Sequence, residues 1–65
     1  MQFIVYDMTC SHCVSRITKA VKAEDRAASV EIDLPRRIVK VQSTRSREQI
    51  AQHIIAAGYT PTEAS

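Results

Sequence analysis

The segment Met8-Thr9-Cys10-Ser11-His12-Cys13 holds both cysteines of the chain, with two residues between them. Thiolates are soft ligands, and two on one short loop can grip a single soft metal ion without the chain folding far back on itself. The residues after Cys13 read as a helix. Cys13 would then stand in the first helical turn, where free N–H groups and the helix dipole favour a negative sulfur and lower its pKa. A pair poised towards thiolate near neutral pH suits either metal capture or disulfide chemistry.

The flanking sequence predicts what positions this loop. Residues 2–7 alternate, with Phe3 and Val5 on one face and Ile4 and Tyr6 on the other, as in a strand; Met8 is expected to continue the inward parity towards the core beneath the loop. From about Ser11 to Ala23 the period changes to that of a helix. Val14, Ile17, Ala20 and Val21 form its apolar stripe, with Cys13 at the edge and its sulfur near the surface. Arg16, Lys19 and Lys22 fall on the opposite side as a basic face, either plainly solvated or a docking surface. Glu24-Asp25-Arg26 breaks the helix. Val30, Ile32 and Leu34 alternate with Glu31 and Asp33 in a strand over 29–34. A turn at Pro35-Arg36-Arg37 leads into a second strand over Ile38–Gln42, with Val39 and Val41 inward, so the two make a hairpin. Ser46 and Gln49 form a capping box for a second helix that runs to about Ala57. Gly58, the only glycine, sits where a helix end needs positive φ. Thr60 to Ala64 reads as a short last strand, which Pro61 marks as an edge.

The order β-α-β-β-α-β is the split βαβ, or ferredoxin-like, pattern: an α+β sandwich with a four-stranded antiparallel sheet and two helices on one face. In that topology the last strand lies antiparallel to the first. Tyr59 is then brought beside the cysteine loop.

Sixty-five residues are expected to make one domain over 1–65, with a small core. The net charge of +2 and pI near 8.8 are too mild for a nucleic-acid binder on charge alone. Arg16, Lys19 and Lys22 also lack interleaved aromatics. No signal peptide or stretch of about 20 apolar residues is expected, so direct membrane insertion is not, and the expected compartment is the cytoplasm. There a cysteine pair serves metal or redox chemistry more often than it staples a fold.

A Met-x-Cys-x-x-Cys loop after an alternating strand resembles the heavy-metal-associated domain. The matching blocks are Phe3 to Cys13, Val30-Glu31-Ile32-Asp33-Leu34 and Ala57-Gly58-Tyr59, and nearly the whole chain fits. Within that family it is most similar to small bacterial copper chaperones of the CopZ type. The resemblance implies Cu(I) held by Cys10 and Cys13 and handed to the metal-binding domain of a copper-transporting P-type ATPase. It also implies Tyr59 as a residue beside the site. Several positions depart from the family pattern. Asp7 replaces the usual Gly before the motif Met, where its charge would tune the site or face water. Asp25-Arg26 replaces a Pro-Gly turn, with Glu24 at the preceding apolar position. His53 takes an alanine-like position on the second helix.

Each candidate has a plainer reading. His12 could complete a three-coordinate Cu(I) site, favour Zn(II), or face solvent. Met8 reads as core beneath the loop rather than a thioether ligand, and His53 as a half-buried helix residue. Tyr59 either shields the sulfurs or packs on the core. Two ligands leave a soft monovalent ion under-coordinated and open to a partner's thiolate, whereas a structural zinc site would be closed by four ligands. No nucleophile–base pair or carboxylate dyad is visible, so an enzyme is not expected. The alternatives to delivery are a Zn(II) or other soft-metal buffering module, with His12 as an added ligand, and a thiol–disulfide protein. For delivery, the loop and the Arg16, Lys19, Lys22 face would meet an acidic patch. The apo protein is expected to be a monomer, with a metal-bridged homodimer when two loops share thiolates.

Overall fold

A computed structural model of the chain describes residues 1–63. The elements follow in the order β1 (Gln2–Val5), α1 (Ser11–Glu24), β2 (Ser29–Asp33), β3 (Ile38–Gln42), α2 (Arg47–Ala56) and β4 (Pro61–Glu63). The four strands form one antiparallel sheet in the order β2-β3-β1-β4, the ferredoxin-like arrangement. β4 is the edge beside β1, with Pro61 opposite Val5, and an edge is where a residue lacking an N–H is tolerated. The predicted end of this strand at Ala64 lies outside the described residues.

The alternation of β1 buries Phe3 and Val5, while β3 buries Val39 and Val41 on the same side. Ile17 and Val21 of α1 and Ile50 and Ile54 of α2 close over that face. Burial of these branched side chains, each worth about 1.5–3 kcal/mol, is the main force holding the layers together.

Several boundaries differ from those predicted. The first strand ends at Val5, because the Met8 N–H bonds back to the Val5 carbonyl at 3.1 Å and closes a turn over Tyr6 and Asp7. That turn corrects the reason given for Met8. Strand alternation would send Asp7 inward; the turn resets the phase, and Met8 ends fully buried. β2 stops at Asp33, one residue before Leu34, where Asp33 Oδ1 accepts from the Arg36 N–H at 3.2 Å and starts the hairpin turn. α1 runs one residue beyond Ala23, and α2 ends one residue before Ala57, which is its C-cap. The capping box forms as read: Gln49 N–H donates to Ser46 Oγ at 3.1 Å, and Ser46 N–H donates to Gln49 Oε1 at 3.0 Å.

The end of α2 aims the chain at the cysteine loop. Gly58 has φ +97. Its N–H bonds to the Ile55 carbonyl and that of Tyr59 to the Ile54 carbonyl, at 2.9 and 3.3 Å. This pair of bonds is a Schellman motif, which needs the left-handed residue that glycine supplies without steric cost.

Candidate metal centre

The β1–α1 loop stands at one end of the sandwich. Cys10 is the N-cap of α1, with extended backbone and no side-chain cap hydrogen bond. The N–H groups of Cys13 and Val14 turn to its carbonyl at 3.1 and 3.3 Å, which fixes Cys13 in the first helical turn. Cys10 is exposed and Cys13 half-buried, and both are free thiols. Their sulfurs lie 3.4 Å apart. At a metal–thiolate distance of about 2.3 Å, sulfurs so spaced subtend about 95° at a shared ion. The loop therefore presents a two-sulfur grip with one side open to water, and a small spreading of the sulfurs widens the angle.

The electrostatics favour thiolate at Cys13, whose pKa is lowered from 9.0 to about 7. The Tyr59 hydroxyl is the main cause, followed by the Thr9 N–H, the Cys10 thiol and the Cys10 N–H; partial burial opposes them. Sequence reasoning had credited the helix N-terminus. To that field the structure adds a hydroxyl delivered by the far end of the chain, the loop's own amides and the neighbouring thiol. The same contact raises the pKa of Tyr59.

Met8 forms the floor of the loop as a core residue. Tyr59 is 9% exposed, with its ring in the core and its hydroxyl against Cys13. Core packing and sulfur contact, read from sequence as alternatives, are both present. Asp7 faces out, as one alternative had it, and also accepts a hydrogen bond from the Thr60 N–H at 3.3 Å.

His12 is exposed and lines a shallow depression between α1 and α2, together with Arg16, Lys19, Ala20 and His53. Among the described residues no three His, Cys, Asp or Glu side chains group as a metal site. The basic face divides: Arg16 and Lys19 line the depression, whereas Lys22 does not.

The far end of α1 holds residues whose roles the sequence did not disclose. Asp25 Oδ2 accepts from the Ser43 hydroxyl at 2.6 Å and Oδ1 from the Ala27 N–H at 3.0 Å. These bonds, the Ser43 hydroxyl foremost, hold its carboxyl below the usual range. Asp25 thus makes the turn that a Pro-Gly pair would otherwise make. Glu24 pairs with His53 at 3.2 Å and with Arg45 at 3.5 Å, which accounts for both departures from the apolar pattern. Arg47 lies over the Phe3 ring at 4.5 Å and donates to the Gln2 carbonyl. The available signal was a cluster of charged residues at helix ends, with nothing local to say which would meet.

Comparison with known proteins follows from this geometry. The chain is 37% identical over 57 residues to a COP-associated protein of Helicobacter felis, covering 85% of this chain and 86% of that protein. Its structure is similar to the crystal structure of a gold-binding protein, with TM-score 0.95, 41% identity and 98% of each chain covered. It is also similar to the copper chaperone Atx1 from Synechocystis PCC6803, with TM-score 0.92, 36% identity, and 94% of this chain and 97% of that one covered. The model of the heavy-metal-associated domain matches residues 2–60, and the chain belongs to that family of metal-binding, copper-chaperone-like modules.

Proposed function

We propose that the protein binds Cu(I) through Cys10 and Cys13 and delivers it by ligand exchange to the metal-binding domain of a copper-transporting P-type ATPase. The observation that carries this reading is the pair of free sulfurs 3.4 Å apart at an open end of the fold. An ion held by two soft ligands remains open to a third, so an incoming thiolate can attack before an outgoing one leaves. The gold and copper proteins of similar structure support a soft monovalent ion. A structural Zn(II) site uses four ligands, and among the described residues no third His, Cys, Asp or Glu groups with the cysteines. His12 stands in this reading as a rim residue: His12→Ala leaves affinity and spectrum unchanged at pH 7.5, and a weakened complex would make it a ligand.

No described helix is long and apolar enough to cross a membrane, and the site of action in this proposal is the cytoplasm. Docking uses the cysteine loop with Arg16 and Lys19, and Lys22 adds to the field. These charges set on-rate and orientation, and their effect fades with salt. Lys19→Glu with Lys22→Glu slows transfer and leaves metal affinity intact; an unchanged rate removes this docking face. The apo protein is a monomer in this reading, and a shared ion bridges two copies into a dimer.

The deciding experiment is an anaerobic competition titration of the reduced protein against a chromophoric Cu(I) chelator, with Zn(II) in parallel. Tight 1:1 Cu(I) binding that disappears in Cys10→Ser and Cys13→Ser is the expected result. Weak Cu(I) binding beside strong Zn(II) binding overturns the copper reading in favour of a zinc-buffering module.

A further inference from the structure

Tyr59 is held from two sides. On its helix side, the N–H groups of Gly58 and Tyr59 are tied to carbonyls of α2. On its strand side, the next N–H, that of Thr60, is held by the Asp7 carboxylate at 3.3 Å, across 53 positions of sequence. Asp7 sits in the turn between β1 and the cysteine loop. Its carboxylate therefore joins the loop that carries the sulfurs to the loop that carries the tyrosine. Asp7 is exposed and absent from the hydrophobic core, so the bond adds no apolar burial of its own. A glycine in its place would have no acceptor to offer. The hydroxyl so restrained lies against Cys13, the less exposed of the two sulfurs.

We propose that Asp7 is a positioning residue: by holding the Thr60 N–H, it keeps the Tyr59 hydroxyl on the Cys13 sulfur and slows the exchange of a bound soft metal ion. This rests on the reading of Cys10 and Cys13 as the ligands. For an incoming thiolate to reach the ion from that side, the hydroxyl must move away. Loosening the α2–β4 loop makes that movement more frequent. Asp7 and Gly58 set the gate together, one from the strand side and one from the helix side.

The test is the rate at which Cu(I)-loaded protein gives up its metal to a chromophoric chelator, measured by stopped flow on the full chain. Asp7→Ala should release the ion about fivefold faster, the factor expected from losing one ordinary hydrogen bond. Asp7→Asn keeps a side-chain oxygen and should stay within about twofold of wild type. Tyr59→Phe keeps the tether but lacks the hydroxyl; it should accelerate release, and Asp7→Ala should add nothing further in that background. Release at the wild-type rate from Asp7→Ala overturns the proposal. So does Asn behaving like Ala, which would make charge the cause, or an Asp7→Ala effect that persists without the hydroxyl. Amide exchange at Thr60 in the metal-free protein checks the tether alone: faster in Asp7→Ala and restored in Asp7→Asn, with unchanged exchange overturning it. A wild-type protein that takes up no Cu(I) removes the ligand reading and the exchange role together, and the Thr60 amide still decides whether the tether exists.

Discussion

The two ends of α1 face the same problem, exposed backbone groups at a helix terminus, and meet it in opposite ways. The C-terminal end is closed. The Asp25 N–H returns to the Val21 carbonyl, its carboxylate takes the Ser43 hydroxyl and the Ala27 N–H, and Glu24 reaches His53 and Arg45 across to α2 and the segment before it. The N-terminal end is left open. Its cap residue is a cysteine that makes no side-chain cap bond, and two thiols stand where a carboxylate or hydroxyl would ordinarily accept. Polar satisfaction at one end locks the helix to the sheet layer. At the other end the loop amides and a tyrosine hydroxyl are spent on stabilising a sulfur anion. Stability and reactivity are thus placed about 20 Å apart along one helix of 14 residues.

If that division is correct, substitutions at the two ends should separate binding from stability. The largest expected effect is on metal: Cys10→Ser or Cys13→Ser abolishes tight Cu(I) binding in the competition titration and leaves the apo melting temperature within about 2 °C, since neither sulfur supplies much of the core. Met8→Ala sharpens the comparison, because it removes the floor of the open end. A fully buried methionine cut to alanine costs about 2–5 kcal/mol. Urea unfolding should show that loss, while the two thiols still bind metal once the protein is folded.

Asp25→Ala attacks the closed end. It should lower the melting temperature by a few degrees without changing Cu(I) affinity. The sign of its pH dependence follows from a folded pKa held below the ordinary carboxylate value. The stability it contributes is fully present above about pH 4 and is lost as pH falls through the depressed folded value. Wild type and Asp25→Ala should therefore converge in acid. Tyr59→Phe should leave melting nearly unchanged below about pH 7. Thiolate absorbance titration should show the Cys13 midpoint rising from about 7 towards the ordinary thiol value. Because that folded pKa is lowered, the Cys13 contribution to stability grows as pH rises through about 7 and is lost as pH falls below it. Melting curves of wild type and Tyr59→Phe should diverge only on the alkaline side.

Much of this was present in the chain as written. The strand and helix periods name Phe3, Val5, Ile17, Val21, Val39 and Val41 among the inward residues, and these six are buried. The Ser46–Gln49 capping box and the positive φ of Gly58 are local devices, decided by residues a few positions apart. The two-cysteine loop is local in the same sense. Such features are legible because their energetics depend on neighbours in sequence.

The tertiary structure alone decided which distant groups meet. Tyr59 reaches Cys13 because β4 pairs with β1, and Asp7 reaches Thr60 for the same reason. Glu24, His53 and Arg45 converge because α1 and α2 pack side by side. Arg16 and Lys19 share a depression that Lys22 does not, because the curve of the helix surface sets which charges face α2. Even Met8, inward by expectation, owes its burial to a turn that shifts the strand's phase. The sequence by itself determined the secondary structure, the core and the soft-ligand pair, through periodicity and short-range bonding. The environment of that pair, including which hydroxyl lies on which sulfur, was settled only when the chain closed its sheet, since a polar group's partner is fixed by geometry across the fold and not by its place in the chain.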